Sequence, residues 1–157
     1  MLSRKLDSVI EKHYANNKSA LLLKGARQVG KTSAIREYAR KQKMNLIEIN
    51  FYEDDSACNI FKGSQNAKDV LLRISAHTKK KTSLPNTMIF FDEVQKCPEV
   101  ITWIKFLVDD GSCRYALSGS LLGVELKGGG KRPCRIHGRK GGVSVGYGRV
   151  FSLSWPF

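Results

Sequence analysis

The sequence predicts an α/β fold, a parallel sheet with helices packed on both of its faces. Three observations carry that expectation. Short apolar runs at Leu21–Leu23, Asn45–Phe51, Thr87–Phe91 and Tyr115–Ser118 alternate with segments of helical periodicity, the pattern of strands buried on both sides and joined by crossover helices. The first run leads into Gly25-Ala26-Arg27-Gln28-Val29-Gly30-Lys31-Thr32, the spacing G-x-x-x-x-G-K-[ST] of a phosphate-binding loop. The third run ends in adjacent carboxylates, Asp92 and Glu93, and open α/β sheets gather their ligands at that end of the strands. Together they predict a P-loop NTPase fold.

Each element has its own local reason. Met1–Tyr14 places Leu2, Leu6, Val9 and Ile10 on one helical face. Asn16-Asn17-Lys18 is a turn, and Leu21 opens the first strand. Beyond the loop, Ile35, Tyr38 and Ala39 share a helical face, with Arg36, Glu37, Arg40 and Lys41 elsewhere. Ile47, Ile49 and Phe51 alternate as in a strand, and Asp54-Asp55 reads as a solvated turn or helix N-cap. Ala67, Val70, Leu71 and Ile74 give the next helical stripe, and Lys79-Lys80-Lys81 an exposed loop. Pro98 suits the first position of a helix whose apolar face is Val100, Ile101, Ile104, Leu107 and Val108. Trp103 and Phe106 extend that face and are expected to pack.

The chemistry expected of the loop follows from its residue types. Glycines let consecutive N–H groups turn inward on a phosphate, which makes Gly25, Ala26, Arg27, Gln28, Val29, Gly30, Lys31, Thr32 and Ser33 the candidate cradle. Lys31 would reach the β- and γ-phosphates, and the Thr32 hydroxyl would ligate Mg²⁺. The helix that starts here aims its positive end at the anion. Asp92 would hold Mg²⁺, and Glu93 would polarise the attacking water. Ser118, ending the following strand, would sense the γ-phosphate or orient the water. The expected catalytic set is therefore Glu93, Lys31 and Ser118, the metal set Thr32 and Asp92, and the cofactors ATP and Mg²⁺. Arg27, Arg36 and Arg114 are available arginines, but no spacing marks one as a trans-acting finger.

The 157 residues suffice for one domain with a core. No run approaches membrane-spanning length, and Met1–Tyr14 lacks the apolar centre of a signal peptide, so a cytoplasmic setting is expected. Cys58, Cys97, Cys113 and Cys134 lack C-x-x-C spacing; neither a zinc site nor a disulfide is expected. His13, His77 and His137 have no ligand spacing. The net charge is +13, but its distribution is uneven. Gly128–Phe157 holds six Lys/Arg, eight of the fourteen glycines and no acid; residues 1–127 hold the other 21 basic and all 14 acidic residues, and so carry +7.

The strings L-L-L-K-G-A-R-Q-V-G-K-T, F-F-D-E-V-Q-K-C-P-E-V-I-T-W-I-K-F-L-V-D-D and Y-A-L-S-G-S-L-L-G-V-E-L-K resemble the AAA+-type ATPases of bacteria and archaea that join an N-terminal AAA domain to a C-terminal DUF4143 region. The resemblance runs from Met1 to Lys127. It implies an ATP-binding core with Lys31, Thr32, Asp92 and Glu93 in the roles above, a sensor-like Ser118, homo-oligomers in intact relatives and a protein or nucleic-acid client. Relatives continue with S-V-P-V-G-Y and an acidic F-P-L-D segment, which this chain lacks. Codons can be chosen for Gly128–Val150 whose reading one base later restores both landmarks. The division expected is thus an AAA-like core over 1–127 and a frame-displaced, poorly ordered tail over 128–157, with the last core strand and the lid missing or degraded. Gly128–Gly142 is expected to be irregular and Val143–Phe157 to pair weakly.

Three functions compete on these grounds: a Mg²⁺-dependent ATPase core, a nucleotide-binding fragment with little turnover, and a basic nucleic-acid binder. The last has no helix-turn-helix or zinc module behind it.

Overall fold

The computed structural model describes residues 2–26, 30–120, 134–136, 144–147 and 150–154, with side chains over 5–26, 30–120 and at Val150. Helix α1 (Leu2–Asn16) precedes strand β1 (Ala20–Lys24), and α2 (Lys31–Lys41) precedes β2 (Asn45–Asn50). A 3-10 segment, Asp55–Phe61, then leads to α3 (Ala67–Thr78) and β3 (Thr87–Asp92). A one-turn 3-10 segment, Val94–Lys96, is followed by α4 (Glu99–Asp110), β4 (Arg114–Gly119), β5 (Cys134–Ile136), β6 (Ser144–Tyr147) and β7 (Val150–Ser154).

The sheet order is β2-β3-β4-β1-β7-β6-β5. The first five are parallel neighbours; β6 runs antiparallel to both β7 and β5. Alternation along each central strand feeds two cores. Leu21, Leu23, Met88, Phe90 and Ala116 meet Leu6, Ile10, Tyr14, Ile35 and Tyr38 of α1 and α2. Leu22, Ile89, Phe91 and Leu117 face the other way, against Ile60, Val70, Ile74, Val100, Ile104 and Leu107. The helices therefore cover both faces, as the periodicities require. Every residue of β3 is buried, which suits a strand with parallel partners on either side. Between α1 and β4, the Tyr14 hydroxyl donates to the Tyr115 carbonyl at 2.5 Å.

Four details differ from the sequence expectations. Asp54 takes the N-cap alternative, its carboxylate accepting from the Ser56 N–H, but the element it caps, the 3-10 segment Asp55–Phe61 with Ala57, Ile60 and Phe61 buried beneath it, was not expected. Their burial draws Cys58 against the start of α4, where it forms a disulfide with Cys97, 39 residues away; linear spacing carries no trace of such a pair. Phe106 does not pack into the core, being 49% exposed, whereas Trp103 does rest on it. Finally, the described tail segments β5, β6 and β7 join the sheet. β5 lies within the stretch expected to be irregular, and β7 pairs with β1 along five residues from Ala20↔Val150 to Lys24↔Ser154. An otherwise open edge on the buried β1 supplies the reason, since its backbone groups need partners, and Val150 reaches the core. The expected pairing within Val143–Phe157 takes the form of β6 and β7.

Among the described residues no helix is long and apolar enough to cross a membrane. The lysine run stays exposed, with Lys80 Nζ donating to the Leu46 carbonyl on the β2 edge at 3.0 Å.

Candidate functional site

Parallel pairing brings the carboxyl ends of β1, β3 and β4 to one edge of the sheet. Lys24 lies beside Gly119, Leu23 beside Ser118, and Phe91 beside Leu117. The residues that follow each strand must therefore meet. The Gly25 N–H donates to the Gly119 carbonyl at 3.2 Å, which pins the start of the loop to the end of β4.

At the other end of the loop, Gly30 stands immediately before α2 with φ 85° and no side-chain cap. A Cβ there would meet nothing within 4 Å, so the glycine answers to backbone conformation rather than space, and a side chain would cost about 1 kcal/mol. Lys31 opens the helix and is only 6% exposed. Its Nζ donates to the carbonyls of Gly25 at 2.8 Å and Ala26 at 2.6 Å. Burial lowers its pKa, opposed by the carboxylates of Glu93 and Asp92. The ammonium thus sits at the mouth of the loop, held by carbonyl oxygens and two nearby negative charges.

Sixty residues downstream, Asp92 closes β3 and is also buried. Its Oδ2 accepts from Thr32 Oγ1 at 3.0 Å, and its Oδ1 from Ser118 Oγ at 2.5 Å and from the Glu93 N–H at 3.0 Å. One carboxylate therefore joins α2, β3 and β4. Ser118 is committed to Asp92 in this arrangement. Glu93 takes up a left-handed backbone, φ 58° and ψ 47°, which costs a non-glycine residue about 1–2 kcal/mol. The turn redirects its side chain away from the course of β3, and Gln95 donates its amide to the Glu93 carboxylate.

Gly25, Ala26, Gly30, Lys31, Thr32, Asp92, Glu93 and Ser118 of the sequence-derived set lie at this edge. Ser33 is exposed on the first turn of α2. Arg27, Gln28 and Val29 lie outside the described residues. The arginines Arg36 and Arg114 are engaged elsewhere: Arg36 forks onto Glu48 at 2.6 and 2.9 Å, and Arg114 reaches the Tyr38 hydroxyl at 3.2 Å. Gln95 was not singled out by the sequence; an amide two residues past a carboxylate becomes informative only once the turn at Glu93 is known. A hollow of about 470 Å³ between the start of α3 and α4, lined by Ala67, Trp103 and Phe106, belongs to a different part of the surface.

The sequence profile of a family described as AAA domain matches residues 17–140. The chain belongs to the AAA domain family. The match begins just before β1 of this AAA domain and takes in the loop, the β3 carboxylates and the β4 serine, passing Lys127 by thirteen residues. No curated protein matches the chain. Family membership brings nucleotide binding of the ATPase type, and the parallel sheet with its strand-end loop is the framework such a domain requires.

Proposed function

We propose that this AAA domain binds ATP together with Mg²⁺ and hydrolyses it. The observation that carries the reading is the bond from Thr32 to Asp92 with the Lys31 ammonium beside it. It unites two halves of a site that are sixty residues apart. The donor set fits Mg²⁺, because a hydroxyl and a carboxylate are hard oxygen ligands. When bound, Mg²⁺ neutralises charge on the phosphate oxygens.

The chain's own residues do the rest. The backbone N–H groups of Gly25–Ser33 cradle the phosphates. Lys31 exchanges its loop carbonyls for β- and γ-phosphate oxygens and stabilises the charge that develops on them. Thr32 and Asp92 hold the cation. Ser118 keeps the Asp92 carboxylate oriented, and Glu93 accepts a proton from the water that attacks the γ-phosphate in line. A cytoplasmic setting accompanies this chemistry, where ATP is at hand.

We also read residues 128–157 as a frame-displaced form of the segment that follows the core in similar proteins. The absence of acids after Lys127 supports this, and codons through 120–150 that cannot be read one base later to give that segment would overturn it.

Turnover and binding test the main reading separately. Glu93→Gln is expected to retain ATP binding while lowering kcat about 100-fold or more, the usual worth of a general base. Wild-type binding without hydrolysis would reduce the protein to a nucleotide-binding fragment.

A further inference from the structure

Gln95 holds two parts of the site at once. Its Nε2 donates to Glu93 Oε2, and its Oε1 accepts the Ser120 N–H at 3.4 Å. An amide meets both demands, since one partner accepts and the other donates. A glutamate would set carboxylate against carboxylate, and a lysine would have nothing to accept with. The anchor is local and firm. Lys96 N–H donates to the Glu93 carbonyl and Cys97 N–H to the Val94 carbonyl, each at 3.0 Å, so the turn bearing Gln95 is closed on both sides. Ser120 follows Ser118 and Gly119 at the end of β4, the strand whose serine grips Asp92.

We propose that Gln95 is a positioning residue: it fixes the Glu93 carboxylate beside the phosphate loop and couples its placement to the chain leaving β4. The proposal rests on Glu93 being the base. A carboxylate that swings on a free side chain loses the alignment on which water activation depends. The Lys31 ammonium at the start of α2 is a charged group near Glu93; Gln95 adds a neutral donor.

Two measurements on the full chain test this. In the first, the crystal structure of Gln95→Ala is expected to show the Glu93 carboxylate displaced from its place beside the phosphate loop or spread over several rotamers, with the backbone turn at Glu93 kept. A single, unmoved Glu93 rotamer would overturn the proposal whether or not the protein hydrolyses ATP. In the second, Gln95→Ala is expected to keep ATP affinity within about 2-fold while kcat falls roughly 10-fold to 100-fold. Unchanged kcat in a Gln95→Ala protein that binds ATP normally would also overturn it. Full turnover in Glu93→Gln, by contrast, would defeat the assignment of the base and leave the structural result standing.

Discussion

Lys31 shows how much a single side chain reports about this site. An ammonium is costly to bury, and here it is tolerated because two loop carbonyls and the neighbouring carboxylates surround it. Lys31, Thr32 and Asp92 were legible in the sequence because flanking glycines and an apolar strand fix where each must point. Gln95 was not, since its role depends on a left-handed turn at Glu93 that no residue type announces. Another buried cation precursor makes a prediction about pH. His13 accepts burial in neutral form: desolvation lowers its pKa from the ordinary 6.5, partly offset by its bond with the Ser19 carbonyl. The unfolded chain therefore takes up a proton more readily than the folded one below pH 6.5. This part of the stability is complete above pH 6.5 and is lost as pH falls through the folded-state value. Thermal unfolding followed from pH 8 to pH 5 should show a steeper acid-side fall in wild type than in His13→Gln; parallel curves would contradict it.

At the scale of elements, periodicity located all four helices and the first four strands to within a few residues. It failed at Asp55–Phe61, where the burial of Ala57, Ile60 and Phe61 follows from tertiary contact. The same contact makes the Cys58–Cys97 bridge, whose partners lie 39 residues apart. Closing a loop of that length stabilises a fold by about 3–4 kcal/mol through the unfolded chain. Chemical denaturation with and without a thiol reductant should differ by that order, and Cys58→Ser should match the reduced protein. The β7 strand makes a second element-scale prediction. Val150 is 6% exposed beside Ala20, so Val150→Asp should destabilise the domain by at least about 2 kcal/mol in a urea titration. An unchanged midpoint would mean that β7 contributes nothing to the core.

For the molecule as a whole, strand alternation sufficed to predict a parallel sheet covered on both faces. The basic, glycine-rich composition of the tail led to the expectation of irregular structure over Gly128–Gly142, within which Cys134–Ile136 is a strand. An open flank on β1 offers backbone partners to any chain that can extend, and Val150–Ser154 accepts them. What the whole architecture accomplishes is convergence. Strands of equal direction end together, so a loop after β1, a carboxylate pair after β3 and a serine on β4 become one site. The central claim is that this site binds ATP through Lys31. Isothermal titration of the protein with ATP and Mg²⁺ tests it most directly. Wild type should bind one equivalent, and Lys31→Ala should bind at least about 30-fold more weakly, the worth of a single charge-assisted bond to phosphate at roughly 2 kcal/mol. Equal affinity in the two proteins would contradict the account.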